Sequence, residues 1–247
     1  MELETDLDPG VLGRLLPGRA VRSYPAVLST EADAQGWARA GAASGSVVVA
    51  DYQASARGRA GLPWQVEQGV GLGFSLVVRP DLPSAREGWL YSVATTALAD
   101  VIAATGASDV TTEWPDEAHA SGERVAAVGV TIELGGATVA WAVVNVLVVD
   151  ASPPRGPLLA RSVEAIERRL DQAPSEVLDD HRRRCSTLGR TVRARLVPMG
   201  PSGVQIEGRA DRLLADGALV IETPRGSRVA VLPHHLGMLD RVDDPDG

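Results

Sequence analysis

Not one lysine occurs in the chain, so its 24 basic residues are all arginines, where a domain of this size ordinarily carries roughly a dozen lysines. A compact ammonium and a planar guanidinium place their donors differently, so any mechanism that needs an amine is removed. A GC-rich genome is the expected cause of most of the deficit, since the chain is rich in Ala, Gly, Val, Arg and Asp and has a single Phe. The other reactive side chains are few. His119, His181, His234 and His235 show no metal-ligand spacing with cysteine or carboxylate partners. Cys185 excludes an internal disulfide and lies beside Arg182-Arg183-Arg184, which reads as a solvated helix end favourable to the helix dipole. We read Cys185 as structural.

Composition bounds the partners. With 247 residues, 45% hydrophobic and 23% charged, the chain is long enough for a real core in one main domain plus a small one. A net charge of -8 argues against nucleic acid, whose phosphates need a cationic face. No stretch reaches the roughly 18 apolar residues of a membrane span, and the acidic start Met1-Glu2-Leu3-Glu4 is unlike a signal peptide. A cytoplasmic protein is expected.

The elements that must position any site follow from periodicity and punctuation. Ser29 and Thr30 are N-cap types before a helix expected over 30–42. Strands are expected at 47–50 and 71–79, with the Gly/Arg-rich stretch 53–66 as the loop between them. Ser84-Ala85-Arg86-Glu87 reads as a capping box opening a helix to about Ala104. Strand-like runs follow at 109–114, 125–134 and 138–149. Pro153-Pro154 breaks the pattern before helices at 157–171 and 174–186. Beyond Gly189 the texture becomes short strands with turns at Pro201-Ser202-Gly203, Ala215-Asp216-Gly217 and Pro224-Arg225-Gly226, a small barrel-like β domain.

In this order of elements, the segment Gln53, Arg57, Gly58, Arg59, Gly61 and Trp64, with Trp114-Pro115 and Thr187-Leu188-Gly189-Arg190, resembles the biotin protein ligases of the biotin/lipoate ligase superfamily. The resemblance implies an α+β fold: a mixed-sheet catalytic domain with flanking helices over 1–187, and a small C-terminal SH3-like β-barrel over 188–247. It implies that Ser29, Thr30, Gln53, Gly58, Trp64, Trp114 and Asn145 bind the ligand, and that Arg57, Arg59 and Arg124 serve catalysis. Trp64 and Trp114 equally suit a core, and Arg57 and Arg59 equally suit an exposed loop. The implied cofactors are biotin, with ATP and Mg²⁺ in an active enzyme. The implied partner is a biotin carboxyl carrier domain or acyl-CoA carboxylase subunit, and a homodimer is compatible with it. A repressor function would need a helix-turn-helix ahead of the first family-like motif, and we see no room for one.

The departures from the family pattern fall on its chemistry. Glu31 stands for Asn, Ala56 for Gly and Leu62 for Arg; Glu113, Asp116 and Glu117 stand for the Lys, Asn and Asp of Lys-Trp-Pro-Asn-Asp. In Arg124-Val125-Ala126-Ala127-Val128 the family has Lys-Val/Leu-Ala-Gly-Ile, so Arg124 takes a lysine's place, or Ala126 does after a two-residue shift. Asn145 keeps a Gly-x-Asn-Val motif without its Gly. Such ligases depend on lysines: bringing a carboxylate against a polyphosphate needs cations and Mg²⁺. Glu117 remains able to hold Mg²⁺, with Asp116 as a second carboxylate.

Overall fold

The structure is a computed structural model describing residues 6–152, 154–200 and 203–242. The readings at Met1 to Glu4, Pro153, Pro201 and Ser202 lie outside the described residues.

Strands β1 (Val21–Val27), β2 (Val47–Gln53), β3 (Leu72–Val78), β4 (Thr111–Glu113), β5 (Glu117–Ala120), β6 (Glu123–Leu134) and β7 (Val139–Val148) form one mixed sheet ordered β1-β2-β3-β7-β6-β5-β4. Only β1 and β2 run parallel, joined by helix α2 (Thr30–Arg39); the other pairs are antiparallel. Pro25 is tolerated in β1 because that strand is an edge, where a missing N–H costs no ladder bond. On one face lie α1 (Pro9–Leu15), α3 (Trp89–Ala104), α4 (Gly156–Asp171) and α5 (Pro174–Arg184). There α3 is apolar nearly all round, as a helix packed against α4, α5 and the sheet must be. On the other face α2 buries Ala34 and Ala38 against Val48, Val77, Trp141 and Val143. Among the described residues no helix is long and apolar enough to cross a membrane.

Strands β8 (Thr191–Leu196), β9 (Gln205–Leu213), β10 (Leu219–Glu222), β11 (Arg228–Val231) and β12 (Leu236–Arg241) make a second, antiparallel sheet ordered β11-β10-β9-β8-β12. The junction is tight at Gly88 and Gly217. A Cβ on Gly88 would stand 2.6 Å from the Asp216 oxygen, and one on Gly217, at φ +86°, would stand 2.4 Å from the Gly88 oxygen.

Two expectations need correction, and three elements were not expected. The capping box does not form: Ser84–Arg86 is a 3₁₀ turn, α3 begins at Trp89, and Glu87 reaches instead to His234 Nε2 at 3.2 Å. The strand expected over 109–114 shortens to Thr111–Glu113, because Asp109 adopts a left-handed φ of 51°. Strand β5 was not expected, Glu and Ala being poor strand formers, and forms by pairing with both neighbours. The sequence reading also named neither α1 nor β1.

His181 of α5 is wholly buried against α3, its Nδ1 2.9 Å from Thr96 Oγ1, and burial pushes its pKa down to about 4. The unfolded chain takes up this proton near 6.5 and the fold only near 4, so stability falls as pH drops through that window. The loss is about 3 kcal/mol in all. Urea midpoints of wild type and His181→Gln between pH 7 and 4 check this; the variant should lose less over the same range.

Candidate functional site

Three neighbouring strands and one helix N-terminus bring a row of polar side chains together. Thr30 opens α2 behind its N-cap Ser29, and its N–H and Oγ1 donate to Gln53 Oε1 at 2.9 and 3.0 Å. Ser75 Oγ, on β3, lies 2.9 Å from Thr30 Oγ1 and 2.7 Å from Asn145 Oδ1 of β7. Ser75, Thr30 and Asn145 are all buried. Gly73 makes room for the row: a Cβ there would lie 2.4 Å from Gln53 Nε2. Ser75 is fully buried and ties Thr30 to Asn145, while Thr30, Gln53 and Asn145 of the row line a cavity together with Ser29, Glu31, Ala56, Arg57, Trp64, Phe74 and Val146. Its volume of about 10 Å³ is near that of one water. Glu31 accepts from Thr131 Oγ1 at 2.5 Å and from Gln35 Nε2 at 3.0 Å. Ser75 was not among the expected site residues, although a lone hydroxyl in the otherwise apolar run of β3 is a visible signal.

The 53–66 loop closes this cavity. Ala56 and Val66 pack with Leu147 and Trp64 in a small cluster of their own. Trp64 lies on Gly58, where a Cβ would stand 2.3 Å from the indole, and Gly58 in turn lies on Gly129 of β6, whose Cβ would meet it at 3.2 Å. Arg57 is exposed and donates to the Gly61 oxygen at 3.0 Å. Arg59 is 7% exposed and turns away from the cavity. Its Nη1 donates to the Leu236 carbonyl and, at 3.3 Å, to that of Gly237, and its Nε lies 3.1 Å from Asp116 Oδ2, a charge contact that falls short of a hydrogen bond. Burial pushes Asp116 up to about 6 against the pull of Arg59, and Glu117 adds repulsion.

Beyond Trp64 a groove of about 720 Å³ is lined by Pro63 to Glu67, Arg124, Leu147 and Val149. Arg124 reaches it half exposed, with Nη1 held 3.0 Å from Glu117 Oε1. The shifted frame is the one with a glycine, Gly129, at the family's Gly position, and it leaves Ala126 fully buried in the core beneath α3. In either frame Arg124 is the cation that lines this groove. Val143, where the lost Gly of the Asn145 motif would stand, is buried against α2.

The remaining candidates are placed elsewhere. Trp114 does not line the cavity: it is 2% exposed, its N–H donates to Thr187 Oγ1 and its Nε1 to the Gly217 oxygen, both at 2.9 Å, so it binds the two sheets together. Nor are Asp116 and Glu117 a pair. Asp116 is engaged by Arg59, whereas Glu117 meets His119 Nε2 at 3.0 Å, which also lies 3.6 Å from Glu113 Oε2. Glu113 is further held by Arg241 at 2.5 Å.

The mixed sheet with its helices and the small C-terminal β-sheet domain have the fold of biotin protein ligases. The Aquifex aeolicus biotin protein ligase solved with biotin and ATP matches at TM-score 0.70 and 20% identity, over 90% of this chain and 99% of that one. A biotin protein ligase-like protein of unknown function from Silicibacter sp. matches at TM-score 0.67 and 12% identity, over 88% and 96%. In sequence, the biotin--[acetyl-CoA-carboxylase] ligase of Mycobacterium tuberculosis is 29% identical, with 83% of each chain covered. The bifunctional ligase/repressor BirA of Bacillus spizizenii is 32% identical over 108 residues, 44% of this chain and 33% of that protein. The match thus spans about a third of that relative's length. No family model matches. The chain has the fold of the biotin protein ligases and is similar in sequence to ligases of the biotin/lipoate superfamily.

Because Gly58 has no space for a Cβ, Gly58→Ala should drive Trp64 off the cavity and open the loop. Proteolysis confined to 53–66, with a red-shifted tryptophan emission and an unchanged far-ultraviolet spectrum, is the expected outcome.

Proposed function

We propose that this protein binds biotin or a related acyl ligand beneath the 53–66 loop and that its ATP-dependent adenylation is weak or lost, so that it acts as a binding or regulatory pseudo-ligase. One observation carries the reading. The polar row of Thr30, Gln53, Ser75 and Asn145 is present, whereas neither nearby cation is free: Arg59 turns away to Asp116, and Arg124, which lines the groove, is held by Glu117.

The row suits a ureido-type head group, since amides and hydroxyls offer both donors and acceptors, and Trp64, Phe74 and Ala56 supply an apolar wall. A cavity of about 10 Å³ admits no such ligand until Trp64 lifts from Gly58, so binding is coupled to loop opening. A triphosphate fits poorly. A carboxylate about 4 Å from a phosphate repels it by about 4 kcal/mol at an intermediate dielectric. Each missing preorganised donor costs about a hundred- to a thousand-fold in rate. The supporting partner is a biotin carboxyl carrier domain or acyl-CoA carboxylase subunit, by analogy with the mycobacterial relative. We take 1–187 as the ligase-like domain and 188–247 as an SH3-like barrel, in a cytoplasmic protein acting alone or as a homodimer.

A second reading rests on Arg124 in the groove beside Trp64. An active ligase would then release Arg124 from Glu117 when ATP and Mg²⁺ arrive, leaving Glu117 to the metal.

Calorimetry tests the first reading. Biotin should bind, Gln53→Ala should weaken it about tenfold or more by stranding buried polar partners, and ATP without biotin should give no heat. Tight binding of ATP alone, or no acyl ligand binding at all, would contradict it.

A further inference from the structure

We infer that Glu113, Glu117 and His119 form a binding site for a borderline divalent metal ion of the Zn²⁺ class on the β4–β5 hairpin. The inference does not depend on the ligand bound beneath the loop. The three side chains project from the same face of the hairpin: Glu113 stands directly opposite Glu117, and His119 is two residues further along β5. Their ligand atoms lie within 4.8 Å of one another, with His119 Nε2 3.0 Å from Glu117 Oε2 and 3.6 Å from Glu113 Oε2. Atoms bonded to a tetrahedral zinc at about 2.0 to 2.2 Å lie about 3.3 to 3.6 Å apart. A small inward adjustment therefore completes three corners, and solvent supplies the fourth.

The surroundings have the form of an outer shell. His119 Nδ1 faces the Gly122 carbonyl at 3.4 Å, and with the proton on Nδ1 the Nε2 lone pair points at two carboxylates. Glu113 and Glu117 stand directly opposite on paired strands, where like charges repel, so a cation between them adds to the neutralisation that Arg241 and Arg124 give from outside. Arg124 binds the far oxygen of Glu117, Oε1, and stays in place when Oε2 takes the metal. Arg241 now contacts Glu113 Oε2 and shifts to Oε1. The side chains are 14%, 17% and 30% exposed for His119, Glu113 and Glu117, dry enough to favour the ion and open enough to admit it. An imidazole in the set favours zinc over magnesium. The ion would fix the hairpin beside the Arg59–Asp116 contact.

The test uses the full chain without a polyhistidine tag, stripped by a chelator and titrated calorimetrically with zinc chloride and separately with magnesium chloride. One equivalent of zinc should bind at least a hundredfold more tightly than magnesium. His119→Asn and Glu117→Gln should each weaken zinc by tenfold or more; Glu113→Gln serves if either variant loses its native circular dichroism. The adjacent pair His234 and His235 is the competing location, so the double variant H234N/H235N should bind zinc unchanged. Absence of stoichiometric zinc binding, equal affinity for magnesium, or zinc binding unaffected by His119→Asn would overturn the assignment.

Discussion

A single buried guanidinium holds the 53–66 loop, the β4–β5 hairpin and the small β-sheet in one arrangement. Arg59 leaves the loop, meets Asp116 at the hairpin turn, and donates to two carbonyls of β12. A charge this deep is tolerated only with partners, and removing one of a buried pair typically costs about 3–5 kcal/mol. The loop therefore closes over the polar row only when both sheets are in place. The same contact removes Arg59 from any ligand, so the interaction that completes the fold also takes a cation away from the site.

The rest of the site follows that economy of charge. With no lysine in the chain, the arginines near the groove do structural work first: Arg124 balances Glu117, and Arg241 balances Glu113. Backbone proximity does what charge does not. Gly58 lies between the Trp64 indole and Gly129, and Gly73 accommodates Gln53, so the loop and the row close on each other without added polar contacts.

Much of this was legible in residue types. Ser29 at an N-cap placed α2, the Val-rich runs placed β6 and β7, and the turns after Gly189 placed the second sheet. The gathering of Ser29, Thr30, Gln53, Arg57, Trp64 and Asn145 around one cavity follows from the loop frame and strand pairing. Other features depend on long-range pairing that spacing does not encode. Trp114 faces Gly217, more than a hundred positions away, and Asp116 faces the loop rather than its neighbour Glu117. His119 showed no ligand spacing along the chain because its carboxylate partners come from a cross-strand register and an alternate position. Glu87 looked like a cap and instead contacts His234 in the turn that leads into β12.

The central claim is that the retained ligand site has lost the cations that adenylation requires. Pyrophosphate exchange by the wild-type protein, with biotin, ATP and Mg²⁺ at saturation and the M. tuberculosis relative assayed in parallel, addresses it directly. Two lost donors, each worth about a hundredfold or more, predict exchange at least about ten-thousandfold slower than in that relative. Exchange within tenfold of it would show that Arg124 and Glu117 rebuild a working phosphate site, and would contradict the account.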